Sequence, residues 1–172
     1  MLKTIGSSVI FAIVAMLTFG AQAQAAVDCS TEVGAVAGDT AAAAEAIEAG
    51  GDCAVAILAE LAVIDADLAA STVINIIGTN PEVVEAAVLQ LGASASAMIV
   101  AVAETADANT IVSVLSAVES AGLDGAVLTS IDVAVEGAIA SREDLSDEDI
   151  SSITAVIVDT VAFTEPASSS PS

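Results

Sequence analysis

Short apolar blocks separated by polar residues run through residues 39–140 of the chain. The block between Asn80 and Gly92 shows the pattern most clearly. Asn80 is placed to cap a helix, Pro81 fits the first turn, where no N–H bond is lost, and Gly92 can end the helix in a left-handed conformation. Apolar residues recur at helical spacing on one face and acids lie on another: Val84, Ala87, Val88 and Leu91 against Glu82 and Glu85.

The same pattern predicts further helices on both sides of this block. Asp107 is placed to cap one of them, and Ser146 another, whose first turn holds acids that suit the positive end of the helix dipole. The predicted helices span residues 40–49, 53–64, 68–77, 93–106, 108–121, 125–140 and 147–163.

Pairs of these blocks form a loose internal repeat. Residues 38–64, 65–92 and 93–122 each contain two helical segments and a Gly, Asn or Asp break. Such a period is typical of stacked helical hairpins. The sequence predicts an all-α fold, a small array of short helical hairpins that is either α-solenoid-like or an irregular helical bundle. A β or mixed fold is the alternative, because residues 72–77 and 153–158 are rich in β-branched side chains.

The two ends of the chain differ from this central region. Lys3, an apolar run over residues 9–19 and the small-x-small motif at residues 23–25 predict a cleavable secretory signal peptide at residues 1–25. A retained N-terminal anchor is the alternative, but the run is shorter than the ~20 residues that a span needs. Residues 26–163 form the predicted acidic helical domain, with no membrane span, and residues 164–172 a disordered Ser/Pro tail.

The composition restricts the partners of the chain. It has 24 acidic residues, 2 basic residues and a net charge of −22. Removal of the signal peptide leaves Arg142 as the one cation. A chain of this charge repels nucleic acid and anionic lipid surfaces and attracts divalent cations and basic partners. It is nevertheless 56% hydrophobic, so the charge does not predict disorder.

Several catalytic mechanisms lack the residues that they need. There is no His, Trp or Tyr, and Lys3 lies in the predicted signal peptide. Histidine-based nucleophilic catalysis and Schiff-base chemistry are therefore unavailable to the mature chain. The sequence predicts that the protein is not an enzyme and has no catalytic residues. A secreted hydrolase that uses paired carboxylates is the remaining enzymatic alternative, and it requires a concave pocket that encloses two acids.

Cys29 and Cys53 are the two cysteines of the chain. In an exported protein, an even pair with no other thiol predicts one disulfide. It would tie the start of the mature chain to the second helical block. A redox pair or a pair of metal ligands is the alternative, although there is no CxxC spacing and no His to complete a site.

The acids around Ser146 are the candidate metal site. Hard cations such as Ca²⁺ prefer carboxylate oxygens, and five acids fall within seven positions. The favoured interpretation is nevertheless a solvated linker followed by a helix cap, and a weak, nonspecific cation effect on the whole acidic chain is preferred to a dedicated site. Asp65-Ala66-Asp67 and Asp107-Ala108-Asn109 can be interpreted as fragments of calcium loops or as helix caps, and capping is the favoured interpretation. The candidate metal ligands are Glu143, Asp144, Asp147, Glu148 and Asp149.

Ala/Val-rich units such as residues 80–88 (NPEVVEAAV) resemble those of uncharacterised exported bacterial proteins built from Ala-rich helical repeats. The resemblance covers residues 39–140 and implies a class of protein but no site. We therefore predict an exported structural or interaction protein, periplasmic or extracellular, that acts through helical surfaces. Its predicted partners are further copies of itself or a basic or apolar protein, without nucleic acid or a resident cofactor. An acidic divalent-cation-binding protein is the alternative.

Overall fold

The computed structural model describes residues 29–36 and 38–163, with side chains up to Ile157. The predicted signal peptide, residues 1–25, and the predicted tail, residues 164–172, lie outside the described residues. Within the described ranges the chain is all-α, as predicted, with a short 3₁₀ turn at Gly92–Ala95 and no strand. The helices are α1 (Ser30–Val36), α2 (Thr40–Glu48), α3 (Ala54–Ile64), α4 (Ala66–Ile76), α5 (Pro81–Leu91), α6 (Ser96–Thr105), α7 (Ala108–Ser120), α8 (Gly125–Ile139) and α9 (Asp147–Phe163).

The alternative prediction of a β or mixed fold is wrong for both segments on which it was based, residues 72–77 and 153–158. Residues 72–76 belong to α4, and residues 153–158 lie inside α9. Thr72, Val73 and Ile76 all lie on the buried face of α4, and the hydroxyl of Thr72 donates to the carbonyl of Leu68 at 2.9 Å. Burial of one helical face therefore outweighs the modest β preference of the individual residues.

Aspartates cap four of the helices in the described part of the chain. Each carboxylate accepts hydrogen bonds of 2.9 to 3.1 Å from the free N–H groups of the first turn. The charge also suits the positive end of the helix dipole. The predicted cap at Asp107 is confirmed, and the full set is Asp39 for α2, Asp65 for α4, Asp107 for α7 and Asp124 for α8.

The prediction that Asn80 caps α5 through its side chain is wrong. Asn80 occupies the N-cap position, but its side chain makes no capping hydrogen bond. Its backbone has ψ 55°, whereas the four capping aspartates have ψ between 100° and 163°. The backbone N–H of Asn80 donates to the carbonyl of Ile76 at 2.7 Å, which ties the residue to the end of α4. Pro81 does begin α5, and Gly92 ends it with a positive φ of 55°, as predicted, although its ψ of −127° lies outside the left-handed helical region.

Capping gives the first testable prediction. Asp65→Ala should lower the free energy of unfolding by about 1 kcal/mol, because two N–H groups of α4 lose their acceptor. Asn80→Ala is the matched control at an equivalent helix start, and it should have little effect because that side chain makes no capping bond. Urea unfolding followed by circular dichroism measures both. Equal losses in the two variants would contradict the capping argument.

The helices stack as two rows. From α1 onward, each helix contacts the helix two positions further along the chain. The odd row is α1, α3, α5, α7 and α9, and the even row is α2, α4, α6 and α8. The predicted units correspond to α2 with α3, α4 with α5, and α6 with α7, and α8 with α9 extends the series. Contacts that join each unit to its neighbours favour a solenoid-like array over an irregular bundle.

The core between the rows is made of aliphatic side chains. Ala43, Ala69, Ala87 and Ala95 are fully buried, and such small residues allow helix axes to approach the lower end of the usual ~8–10 Å separation. The largest fully buried side chains are Ile47, Ile57, Leu58, Leu61, Val73, Ile76, Val84, Met98, Ile99, Ile111, Ile131 and Ile153. Among the side chains that the structure describes, four large apolar ones remain exposed: Val63, Ile64, Leu89 and Val133.

The helical run Pro81–Thr105 has 25 residues and contains an 18-residue window with a mean hydropathy of 1.9, enough by length and composition to cross a membrane. It is not one straight helix, because Gly92 and the 3₁₀ turn separate α5 from α6. α5 packs in the odd row and α6 in the even row. Each is shorter than the ~20 residues that a span needs. The run is therefore part of the folded array, and the absence of a span in the mature protein stays a prediction.

Candidate functional site

Two grooves lie side by side on the even row. The α4–α6 groove has a volume of about 460 Å³. Its floor is aliphatic, with Ala70 and Ala101 buried, and its rim is polar. Ser71 and Asn75 lie exposed on α4, where their side chains can donate and accept hydrogen bonds. The lining residues are Asp67, Ala70, Ser71, Ile74, Asn75, Ala101 and Thr105.

The α6–α8 groove has a volume of about 430 Å³ and shares α6 with the first groove. Its α8 wall is made of small residues, and a Cβ placed on Gly137 would meet no atom within 4 Å. The wall therefore leaves room for a bound chain to approach closely. The lining residues are Val100, Glu104, Ala134, Gly137, Ala138, Ser141 and Arg142.

Arg142 closes one end of the α6–α8 groove. Its Nη1 donates to the carbonyl of Ala103 at 2.9 Å and to the carbonyl of Ala106 at 2.5 Å, at the C-terminal end of α6. Its Nε donates to Asp144 at 3.0 Å, and its Nη2 forms an ion pair with the same carboxylate. The Asp144 hydrogen bonds raise the pKa of Arg142 and lower the pKa of Asp144. The guanidinium thus serves as a cap for the negative end of α6.

The acids of the candidate metal site have other partners or stand apart. Asp144 is paired with Arg142. Asp149 accepts from the hydroxyl of Ser146 at 2.7 Å and from its backbone N–H at 3.1 Å, which lowers the pKa of Asp149. The Ser146 oxygen accepts in return from the N–H of Asp149, so the predicted cap of α9 is confirmed.

No group of three or more His, Cys, Asp or Glu side chains in the described ranges is arranged to hold a metal ion. The remaining candidate metal ligands have exposed side chains: Glu143, Asp147 and Glu148. Asp65 and Asp107 both act as helix caps, and the hydrogen bond from the backbone of Thr110 lowers the pKa of Asp107. Cation binding by the acidic chain stays a prediction.

The predicted disulfide joins Cys29 and Cys53, whose Cα atoms are 5.4 Å apart. Cys29 directly precedes α1 and Cys53 occupies the N-cap position of α3. The bond therefore fixes the first helix of the odd row to the second. A disulfide of this kind is typical of proteins in oxidising compartments.

Sequence reasoning missed Asp132, which lies on the buried face of α8 and is only 4% exposed. Its Oδ2 is buried and has no hydrogen-bond partner. Burial, together with the negative charges of Glu136 and Glu119, raises the pKa of Asp132 to about 6. The available signal was helical spacing, because Asp132 falls within the apolar stripe of Leu128, Ile131 and Val135.

Neither groove encloses two carboxylates, because Asp67 is the one acid of the first and Glu104 is the one acid of the second. The hydrolase alternative therefore gains no support from them. Comparison with family models, curated proteins and solved structures found no match to this chain. The resemblance to exported Ala-rich repeat proteins accordingly remains a prediction from the sequence pattern.

Proposed function

We propose that this chain is an exported, non-enzymatic interaction protein whose even row binds a basic segment of another protein. The observation that carries the proposal is the pair of adjacent grooves on α4, α6 and α8. Stacked helical arrays commonly use such continuous surfaces for binding. Export is supported by the Cys29–Cys53 disulfide and by the secretory pattern of residues 1–25.

The charge of the chain favours a basic partner over a second copy. Two copies of the mature chain would each carry 24 acidic residues against Arg142 alone, so their association is opposed by like-charge repulsion. A segment with Lys or Arg side chains is attracted instead, and Asp67 and Glu104 place one carboxylate in each groove. Opposite charges of this kind speed association and select the partner more than they add affinity.

The spacing of the grooves favours a particular backbone conformation in the bound segment. Neighbouring helices of a packed row lie ~8–10 Å apart. A polyproline II segment advances about 3.1 Å per residue with three residues per turn, so every third side chain lies on one face at a repeat of about 9 Å. A segment that crosses the row with a small apolar residue at every third position can thus place successive anchors in successive grooves, with basic residues between them.

The test uses a short peptide of repeating Val-Pro-Lys. It should bind more tightly than a peptide of the same composition whose valines are irregularly spaced. Ser71→Trp fills the α4–α6 groove and should weaken binding by roughly tenfold or more, equivalent to the loss of about 1.4 kcal/mol. Fluorescence anisotropy of labelled peptide at physiological salt measures the affinities.

Ser113→Trp is the matched control, because Ser113 is an exposed serine on α7 in the odd row. It adds the same side chain without a change of charge and should leave the affinity unchanged. Equal affinities for the two peptides, or equal losses in the two tryptophan variants, would indicate nonspecific attraction to the acidic surface and would contradict the proposal.

A further inference from the structure

The buried face of α8 contains one carboxylic acid among aliphatic side chains. Its members are Leu128, Ile131, Asp132, Val135, Ala138 and Ile139. The other buried polar side chain in the described ranges, Thr72, donates its hydroxyl hydrogen to a backbone carbonyl. Asp132 differs because its Oδ2 is buried without a partner. An ionised carboxylate in this position has lost its hydration and gained no hydrogen bond in return at that oxygen.

No described cation neutralises Asp132. All three guanidinium nitrogens of Arg142 are engaged by Asp144 and by the carbonyls of Ala103 and Ala106. The charged groups on α8 and its neighbours are otherwise acidic: Glu136 on α8, Glu119 on α7, Glu104 on α6 and Asp147, Glu148 and Asp149 at the start of α9. The 3₁₀ turn that contacts α8 carries no charge. Loss of hydration and the charges of Glu136 and Glu119 therefore all oppose the ionisation of Asp132.

We propose that Asp132 is a proton-operated latch that holds α8, together with α9, against the rest of the array. The neutral acid tolerates the aliphatic face, so the protonated form keeps α8 docked on α6 and the 3₁₀ turn. The carboxylate requires water, which it reaches when α8 moves away from that face. α9 packs on α8 as well as on α7, so its contacts loosen with those of α8.

The direction of the pH effect follows from the two states. A solvated Asp titrates near pH 3.9, whereas burial and the neighbouring acids raise the pKa of docked Asp132 to about 6. Protons therefore favour the docked state. Docking of α8 weakens as the pH rises between these two pKa values, and above pH 6 this weakening is complete. From pH 5 to pH 7.5 this shift changes the ratio of open to docked α8 by about tenfold.

The latch would also affect peptide binding in the α6–α8 groove, and this consequence rests on the proposed function. α8 forms one wall of the α6–α8 groove, so its undocking would remove half of that groove. The latch itself requires no bound segment. An experiment on the protein alone can therefore fail without affecting the proposal of peptide binding, and peptide binding can fail without affecting the latch.

Hydrogen exchange of the disulfide-bonded chain at pH 5 and pH 7.5, corrected for the intrinsic exchange rates, tests the latch. Protection of α8 amides should fall by about tenfold at the higher pH, with a smaller change in α3 and α4. Asp132→Asn keeps the shape and removes the titration, so it should abolish the change in α8. Glu60→Gln alters an exposed acid on α3 whose charge does not act on Asp132, so it should retain the change.

Two results would overturn the latch. One is a fall in α8 protection that persists undiminished in the Asp132→Asn protein. The other is a fall of equal size in α3, α4 and α8, which would indicate general repulsion among the acids of the chain.

Discussion

Replacement of Cys29 and Cys53 by serine should lower the free energy of unfolding by about 3 kcal/mol. The disulfide closes a loop with a sequence separation of 24, and the chain-entropy model assigns roughly this value to such a loop. The effect should be concentrated at the start of the array. α1 has seven residues and buries Val33 and Val36, so without the covalent bond its contacts with α2 and α3 are few.

Urea unfolding of the double-serine protein, followed by far-ultraviolet circular dichroism, measures this loss. The wild-type protein treated with reductant is the matched control, since it loses the bond and keeps both sulfur atoms. Reduced wild type and the double-serine variant should unfold at similar urea concentrations, below that of the oxidised protein. Equal urea midpoints for the oxidised wild-type protein and the double-serine variant would show that the bond does not stabilise the array.

Local signals made much of the helical framework predictable. Asp107 and Ser146 precede the helices that they cap, and Gly92 ends α5, because each residue acts on backbone groups only a few positions away. The prediction that the Asn80 side chain caps α5 was wrong because it took into account only the helix that follows Asn80. The backbone of Asn80 is fixed by its hydrogen bond to Ile76 at the end of the preceding helix, and that constraint is not visible in the residue types.

The features that bear on function depend on contacts between distant residues. Arg142 reaches the carbonyls of Ala106 and Ala103, which lie 36 and 39 positions earlier in the chain. Nothing in the sequence around Arg142 specifies those partners. Asp132 lies in an apolar stripe, but the absence of a partner for its Oδ2 becomes apparent only when α8 is packed in the array. The grooves likewise arise from helices that stack two positions apart.

The placement of the acids explains how so negative a chain can fold as a tight array. Aspartates at four helix starts stabilise those helices, and Asp144 and Asp149 are held by Arg142 and Ser146. The apolar faces are then free to pack between the rows. Among the acids whose side chains the structure describes, Asp132 is the exception, because it lies on a packed face. An exception of this kind at a buried position is a reason to expect a functional role.

Arg142→Met should lower the free energy of unfolding by about 2–3 kcal/mol, the second large effect that we expect. The arginine side chain is 11% exposed, and it connects the segment between α8 and α9 to the end of α6. Methionine keeps much of the apolar volume and provides no donor. The carbonyls of Ala103 and Ala106 then lose a charged hydrogen-bond partner, and partly buried groups left unsatisfied cost more than the net value of the bonds.

Two further variants separate the contributions of Arg142. Asp144→Asn removes the ion pair and leaves the bonds to α6, and its effect should be much smaller because the Asp144 side chain is 66% exposed and screened by water. Arg142→Lys keeps the charge but lacks the planar fork that engages α6 and Asp144 together, so it should fall between wild type and methionine. Thermal and urea unfolding rank the proteins. A loss in Asp144→Asn equal to that in Arg142→Met would assign the stability to the exposed ion pair and contradict a role for Arg142 as the cap of α6.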